Sequence, residues 1–109
     1  MAKYLVKAKY TAPEGVKGLI ADGGTGRANA ITELMKSVGG TLDAFYFAFG
    51  ETDVYAIIDA PDNATAAALS LTVGASGLAT TQVTALLTPA ELDAAVKKSP
   101  AYDAPGPNA

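Results

Sequence analysis

Apolar and polar residues alternate over residues 3–10, which places Tyr4, Val6, Ala8 and Tyr10 on one side and Lys3, Leu5, Lys7 and Lys9 on the other. A period of two residues is the pattern of a β-strand, because successive side chains point to opposite faces. The chain therefore begins with a predicted strand that has one drier face.

The apolar residues that follow this strand have helical spacing. Apolar residues recur at Val16, Leu19 and Ile20, and again at Ile31, Leu34, Met35 and Val38. Glycines at positions 23, 24 and 26 separate the two sets, and Gly39 and Gly40 follow the second. Because glycine is costly inside a helix and common after its last residue, we predict one helix that is interrupted near Gly23 and ends at Gly39.

An aromatic hairpin comes next. Residues 41–49 predict a second strand, with Phe45, Phe47 and Phe49 on one face and Ala44, Tyr46 and Ala48 on the other. The turn 50–53 joins it to a third strand over residues 54–58. Both faces of the second strand carry apolar side chains, so both are expected to be buried.

The last third of the chain predicts two helices and one strand. Residues 61–63 begin an alanine-rich helix that is apolar over more than half its circumference, so we expect it to pack on two sides. Residues 79–87 alternate as a fourth strand. Thr88, Pro89 and Glu91 form a capping-box pattern for a short helix that is expected to bury Leu92, Ala95 and Val96.

The order βαββαβ predicts an α+β, ferredoxin-like domain over residues 1–98, with a flexible tail over residues 99–109. Two helices cover one face of a four-stranded antiparallel sheet. The other face would leave a row of apolar side chains in water, so we expect a second copy to cover it and form a dimeric α+β barrel. The alternative is that the C-terminal helix and tail cover this face within one chain.

Composition excludes several functions. The 109 residues include no His and no Cys, which excludes Ser-His-Asp and Cys-His catalysis, Cys/His zinc sites and His-ligated haem. With 8 Lys and Arg against 11 Asp and Glu, we expect no nucleic-acid surface. We also expect no signal peptide, no membrane span, a cytoplasmic location, no cofactor and no metal site.

Three groups of residues could carry chemistry. The first is the uncovered sheet face, where Lys7, Lys9, Tyr55, Thr80 and Gln82 are predicted to line a small-molecule cavity between two sheets. Alternatively, the lysines reach solvent at the rim and the threonines satisfy one another across the sheet.

The second group is the segment 23–27, where glycines precede a helix start and Arg27 follows. Backbone N–H groups and the guanidinium could hold a carboxylate or phosphate. The alternative interpretation is that the glycines only break the helix so that its halves can follow the sheet.

The third group is the acidic turn. Asp53 or Glu51 could act as a general base or acid, with Tyr46 or Tyr55 beside it to polarise a carbonyl. The alternative is that the two carboxylates are solvated turn formers.

The residues of segments 23–27, 47–53 and 61–63, together with Leu86, Leu87, Thr88, Pro89 and Glu91, resemble the GYD-domain family of small bacterial proteins over residues 3–98. In the family's namesake motif Gly50 and Asp53 match, whereas Thr52 stands where the family usually has Tyr. The resemblance implies a ferredoxin-like subunit of a dimeric α+β barrel with generally unassigned function. Proteins of this architecture include cofactor-free monooxygenases, isomerases, haem-handling enzymes and ligand binders.

Three functions follow as hypotheses. The first is a homo-oligomeric module that binds a small anionic or aromatic ligand between sheet faces. The second is a cofactor-free monooxygenase or isomerase that uses Asp53 or Glu51 as base, with Tyr46, Tyr55 or Arg27 orienting the substrate. The third is a structural or assembly protein without a pocket.

Overall fold

The chain folds as a four-stranded antiparallel sheet with helices on one face, as a computed structural model describes for residues 1–107. The elements in chain order are β1 (Ala2–Tyr10), α1 (Glu14–Ser37), β2 (Thr41–Phe47), β3 (Val54–Ala60), α2 (Asn63–Ala75), β4 (Ala79–Ala85) and α3 (Pro89–Val96). The strand order β2-β3-β1-β4 and the βαββαβ sequence of elements confirm the predicted ferredoxin-like fold.

Strand pairing decides which side chains share a face. Lys7 lies opposite Tyr55 on β3 and opposite Gln82 on β4, and Tyr55 in turn lies opposite Tyr46 on β2. We call this side the open face because no helix packs on it among the described residues; its central members are Leu5, Lys7, Tyr46, Tyr55, Ile57 and Gln82. The faces that the period of two residues predicts for β1, β3 and β4 are therefore correct.

The opposite side, the covered face, meets α1 and α2. Val54, Ala56 and Ile58 of β3 are buried there, as the alternation of that strand predicts. The core cluster joins both helices to the central strands and consists of Tyr4, Met35, Ile58, Ala60, Ala66 and Leu69. The Tyr4 hydroxyl donates to Asn63 Oδ1, so the one polar atom of this buried ring has a partner at the start of α2.

Helix α1 contains one residue outside helical geometry, Gly23, with φ 71° and ψ 172°. That combination is essentially restricted to glycine, because a Cβ would collide with the backbone. The predicted interruption is therefore confirmed, and it falls on a single residue, so the two halves remain one element that bends over the sheet.

Helix α2 begins at a cap made by Asp62, whose carboxylate accepts hydrogen bonds from the Thr65 hydroxyl at 2.7 Å and from Thr65 N–H at 2.8 Å. These two bonds lower the pKa of Asp62 below its ordinary value, because they stabilise the ionised form. Only one side of α2 packs on the sheet, through Ala66 and Leu69, whereas Leu71 on the other stripe is 73% exposed. The expectation that α2 packs on two sides is not met in the single chain.

Strand β2 is shorter and less buried than the sequence predicts. It ends at Phe47, and Phe49 lies in the following turn with its side chain fully exposed. The turn closes early because Ala48 N–H donates to the Asp53 carbonyl at 2.8 Å, while Asp53 N–H donates to the Ala8 carbonyl. A bulge between Leu42 and Ala44 also shifts the register.

The chain leaves the sheet after Leu86 and continues as the C-terminal arm, residues 87–107, in which every residue is exposed. The predicted capping box of α3 is present, since Thr88 and Glu91 bond each other's backbone N–H groups. The prediction that α3 buries Leu92, Ala95 and Val96 is wrong, because α3 has no buried residue. The alternative in which this arm covers the open face of its own sheet is therefore not observed.

Residues 108–109 of the predicted tail lie outside the described residues, and its flexibility stays a prediction. Among the helices of residues 1–107, none combines the length and the apolar character that a membrane crossing requires.

Candidate functional site

A cavity of about 110 Å³ lies between the covered face and the two long helices. We call it the helix–sheet cavity. Its floor is made by β3, β1 and β4, each of which places one alanine at an inward position: Ala56, Ala8 and Ala79. Within the described chain α1 and α2 hardly touch each other, since each packs mainly on a different outer strand. Small floor residues beneath a gap between helices leave the space unfilled.

The walls of the cavity are almost entirely apolar. Ile31, Leu34 and Met35 come from α1, Leu69 and Val73 from α2, and Phe45 from β2. The Phe45 and Phe47 rings meet edge to face with centroids 5.2 Å apart, which fixes the orientation of the Phe45 wall. Such a lining favours an apolar ligand over water.

Four side chains bring polar atoms to this lining: Tyr10, Arg27, Ser70 and Thr81. The hydroxyls of Ser70 and Thr81 are 2.5 Å apart and satisfy each other. Arg27 differs, because its Nε is buried and has no hydrogen-bond partner among residues 1–107. A buried donor without a partner is costly, and such an atom calls for an explanation.

The guanidinium of Arg27 is held in place by an ion pair at its Nη1 atom, away from the buried Nε. Its Nη1 lies 3.1 Å from Asp22 Oδ2, and its side chain is 29% exposed. Burial alone would lower the pKa of Arg27, but hydrogen bonding to the Tyr10 hydroxyl and to Asp22 outweighs burial and raises it. Arg27 therefore stays charged at the edge of an apolar cavity.

The bend at Gly23 accounts for this placement. Asp22 precedes Gly23 and Arg27 follows it, so the ion pair bridges the bend. The sequence also named Arg27 as a ligand candidate, with its guanidinium acting together with backbone N–H groups at a helix start. The structure offers a different geometry, in which the side chain borders a cavity that the sequence did not predict.

The other predicted ligand residues lie across the sheet from Arg27. Lys7, Lys9, Thr80 and Gln82 line an open, polar depression of about 270 Å³, together with Glu51 and Thr52. Tyr55 borders Lys7 on the same face, but is not part of the lining of the depression. The structure thus brings four of the six predicted residues together and separates Arg27 from them.

The acidic turn is anchored to β1 by Asp53. Its Oδ2 accepts a hydrogen bond from Tyr10 N–H at 2.8 Å, and its Oδ1 lies 3.3 Å from Lys9 Nζ. Lys9 also donates to the Gly50 carbonyl. Both carboxylate oxygens of Asp53 are therefore engaged in holding the turn. Of the other proposed catalytic groups, Glu51 is exposed and Tyr46 is 71% exposed on the open face.

We expect Asp53→Ala to lower the free energy of unfolding by about 2 kcal/mol, because it leaves Tyr10 N–H without its acceptor and removes the partner of Lys9. Chemical denaturation monitored by circular dichroism measures the loss. Asp53→Asn is the matched control, since its amide oxygen can still accept from Tyr10 N–H, and it should lose less than half as much. Equal losses in the two variants would contradict the assignment of the bond from Tyr10 N–H as the main contribution of Asp53 to stability.

A second charged cluster fastens the far end of the sheet. Lys3 Nζ lies 2.6 Å from Asp43 Oδ2 and 3.0 Å from Asp59 Oδ2. Hydrogen bonding to Asp43 and then to Asp59 raises the pKa of Lys3, and the bond from Lys3 lowers the pKa of Asp43. In the part of the chain that the structure describes, no three acidic side chains are grouped so that they could hold a metal ion.

Sequence reasoning missed the alanine floor and the Ser70–Thr81 pair. The available signal was the presence of alanine at inward positions of strands whose neighbouring inward residues are Val6, Val54 and Val83. In a strand that has other strands beside it and a helix above it, inward positions usually carry larger side chains than alanine.

Comparisons with known proteins identify a family and leave the site unassigned. Neither a curated protein nor a solved structure shows significant similarity to the chain. The family model of the GYD domain matches residues 4–96. This match covers the sheet except for the first two residues of β1, both long helices, the motif positions Gly50 and Asp53 and all of α3. The protein therefore belongs to the GYD domain family.

Proposed function

We propose that this GYD domain protein binds a small, mainly apolar ligand with an anionic end group in the helix–sheet cavity. The observation that carries the proposal is the buried, unpartnered Nε of Arg27 beside an apolar cavity. A carboxylate on a ring or short chain would give that donor an acceptor while its apolar part replaced empty space.

The volume supports a small ligand. About 110 Å³ is below the range of pockets that hold drug-sized molecules and near that of cavities that admit a single benzene ring. The charge supports an anion, since Arg27 stays protonated and its fork of donors fits a carboxylate. Benzoate combines both properties, and benzyl alcohol is its neutral counterpart of similar shape.

This location differs from the one expected from the sequence, which lies between the open faces of two sheets. Ligand binding there depends on a second copy, whereas the helix–sheet cavity is complete within one chain. Within residues 1–107, no carboxylate lines this cavity, and ligand binding needs none. The enzyme alternative, with Asp53 or Glu51 as base, gains no specific support from this geometry.

Titration of benzoate and benzyl alcohol into the purified full chain tests the proposal, with amide chemical shifts or calorimetry as the readout. We expect saturable binding of benzoate. Arg27→Gln should weaken benzoate at least tenfold and change the affinity for benzyl alcohol less than threefold, because only the charged ligand uses the guanidinium.

Lys36→Gln is the matched control, since it makes the same charge change on an exposed side chain of the same helix. It should leave both affinities unchanged. If neither ligand bound saturably at about 10 mM, the cavity would lose its proposed role. If Arg27→Gln and Lys36→Gln lowered the affinity for benzoate equally, Arg27 would contribute only through the overall charge of the protein. That result would contradict the proposal that Arg27 binds an anionic end group of the ligand.

A further inference from the structure

Two of the four polar side chains that line the helix–sheet cavity have no part in the binding of an anion at Arg27. Tyr10 hydrogen-bonds the guanidinium, whereas Ser70 of α2 and Thr81 of β4 form a hydrogen bond with each other. Both of these side chains are half-buried and border the cavity. We call Ser70 and Thr81 the hydroxyl pair.

The bond within the hydroxyl pair does not use all of its hydrogen-bonding capacity. Each hydroxyl carries one proton and two lone pairs, so their mutual bond leaves one proton and three lone pairs. Thr32, Ser37 and Ser76 donate to a backbone carbonyl three or four residues earlier, as hydroxyls in helices commonly do. Neither member of the hydroxyl pair has such a bond among residues 1–107. The pair therefore brings to the cavity one donor and several acceptor positions that the described chain leaves unused.

The hydroxyl pair and Arg27 enter the cavity from different walls. Arg27 belongs to α1, which packs mainly on β2, whereas α2 packs mainly on β4. β2 and β4 are the two edges of the sheet, three strand spacings, roughly 14 Å, apart. Thr81 also lies opposite Ala8, one of the alanines of the floor. A ring above the floor therefore has the guanidinium on the side of α1 and the hydroxyl pair on the side of α2.

We propose that the hydroxyl pair selects ligands that carry a hydroxyl group across the ring from their anionic group, so that the ligand class is the hydroxylated aromatic carboxylates. This inference rests on the proposed function, because Arg27 must hold the carboxylate for the ring to be oriented. A ligand hydroxyl accepts the spare proton of the pair and donates its own proton to a spare lone pair. Its size also fits, since a hydroxyl adds one heavy atom to the single ring that a cavity of about 110 Å³ admits.

The low polarity of the rest of the lining makes this selection effective. A site whose polar groups bond a ligand hydroxyl leaves those groups unpaired when the ligand lacks it, which costs affinity. Benzoate turns a C–H edge toward the hydroxyl pair, whereas 4-hydroxybenzoate turns a hydroxyl toward it. In 2-hydroxybenzoate, which has the same atoms, the hydroxyl lies beside the carboxylate and bonds it within the ligand. The two isomers therefore separate the position of the hydroxyl from its presence.

Calorimetric titration of the purified full chain with benzoate, 4-hydroxybenzoate and 2-hydroxybenzoate tests the inference. We expect 4-hydroxybenzoate to bind about threefold to tenfold tighter than benzoate, which corresponds to one net hydrogen bond. The 2-hydroxy isomer should bind no tighter than benzoate. Because all three ligands share the ring and the carboxylate, the ratio of their affinities reports the contribution of the hydroxyl pair alone.

Variants of the hydroxyl pair should change this ratio. The double variant Ser70→Ala, Thr81→Val removes both hydroxyls at nearly the same shape, so no buried group loses its partner and the protein should fold. In this variant benzoate should bind at least as tightly as 4-hydroxybenzoate. Thr81→Ser retains the hydroxyl and should retain the preference. Thr32→Val is the matched control, since it removes a hydroxyl of α1 that does not line the cavity, and it should leave the ratio unchanged.

The outcomes separate this inference from the proposed function. Binding of benzoate without a preference for 4-hydroxybenzoate would overturn the inference and leave the proposed function standing. An equal gain for 2-hydroxybenzoate, a double variant that kept the preference or a Thr32→Val variant that lost it would do the same. If none of the three ligands bound saturably at about 10 mM, the proposed function would fail and this inference with it.

Discussion

Ala56→Leu is expected to abolish benzoate binding, with a loss of affinity of more than 100-fold, while the free energy of unfolding stays the same or rises by about 1 kcal/mol. Ala56 is 4% exposed and lies on the floor of the helix–sheet cavity, between Val6 and Phe45 on the neighbouring strands. A leucine there extends into space that is empty in the free protein, so it gains packing and excludes the ligand. Calorimetric titration and denaturant unfolding measure the two effects.

Ala67→Leu is the matched control, because it adds the same atoms on the exposed side of α2. It should bind benzoate normally and change stability by less than about 0.5 kcal/mol. If leucine proves too large for the fold at position 56, Ala56→Val adds fewer atoms at the same place and should still reduce affinity at least tenfold. A folded Ala56→Leu protein with normal affinity would show that the ligand binds elsewhere.

Gly15→Ala is expected to destabilise the fold by roughly 3 kcal/mol, a large share of the stability of a domain this small. A Cβ on Gly15 would lie 2.0 Å from the Leu78 carbonyl oxygen and 3.0 Å from Thr11 Oγ1. The first contact is with backbone, which cannot rotate away as a side chain can. Relief therefore requires the start of α1 to move off the loop before β4, where Thr11 N–H also bonds the Leu78 carbonyl.

Gly18→Ala is the control within the same helix, since a Cβ there meets no atom within 4 Å. It should stabilise the protein by about 0.5 to 1 kcal/mol, because alanine loses less backbone entropy than glycine on folding. Denaturant unfolding of both variants measures the difference. Similar effects at the two positions would contradict the close approach of Gly15 to Leu78.

The fold was predictable because local patterns and global topology agree. Alternation in β1, β3 and β4, the glycine interruption of α1, the start of α2 within residues 61–63 and the capping box of α3 all appear as the sequence indicates. These features depend on neighbours along the chain, so residue order is enough to specify them.

Burial was less predictable than secondary structure. Phe49 was expected to be inside a strand and is fully exposed, while Leu92 and Val96 were expected to be buried and are not. Apolar spacing shows that a side chain favours a dry surface, but it does not show which molecule supplies that surface. Asp53 likewise fits a turn former or a base in the sequence, and its bonds to Tyr10 and Lys9, which hold the turn, appear only in the folded chain.

The candidate site depended on tertiary structure more than any other feature. Residue order alone specifies the elements, their succession, the faces of the strands and the absence of His and Cys chemistry. The tertiary structure places Ala8, Ala56 and Ala79 along one cavity beneath a gap between two helices, and the bend at Gly23 leaves Arg27 Nε beside that gap. A cavity is unfilled space among residues distant in the sequence, so no local pattern can encode it, whereas the elements around it form from contacts that the local pattern does encode.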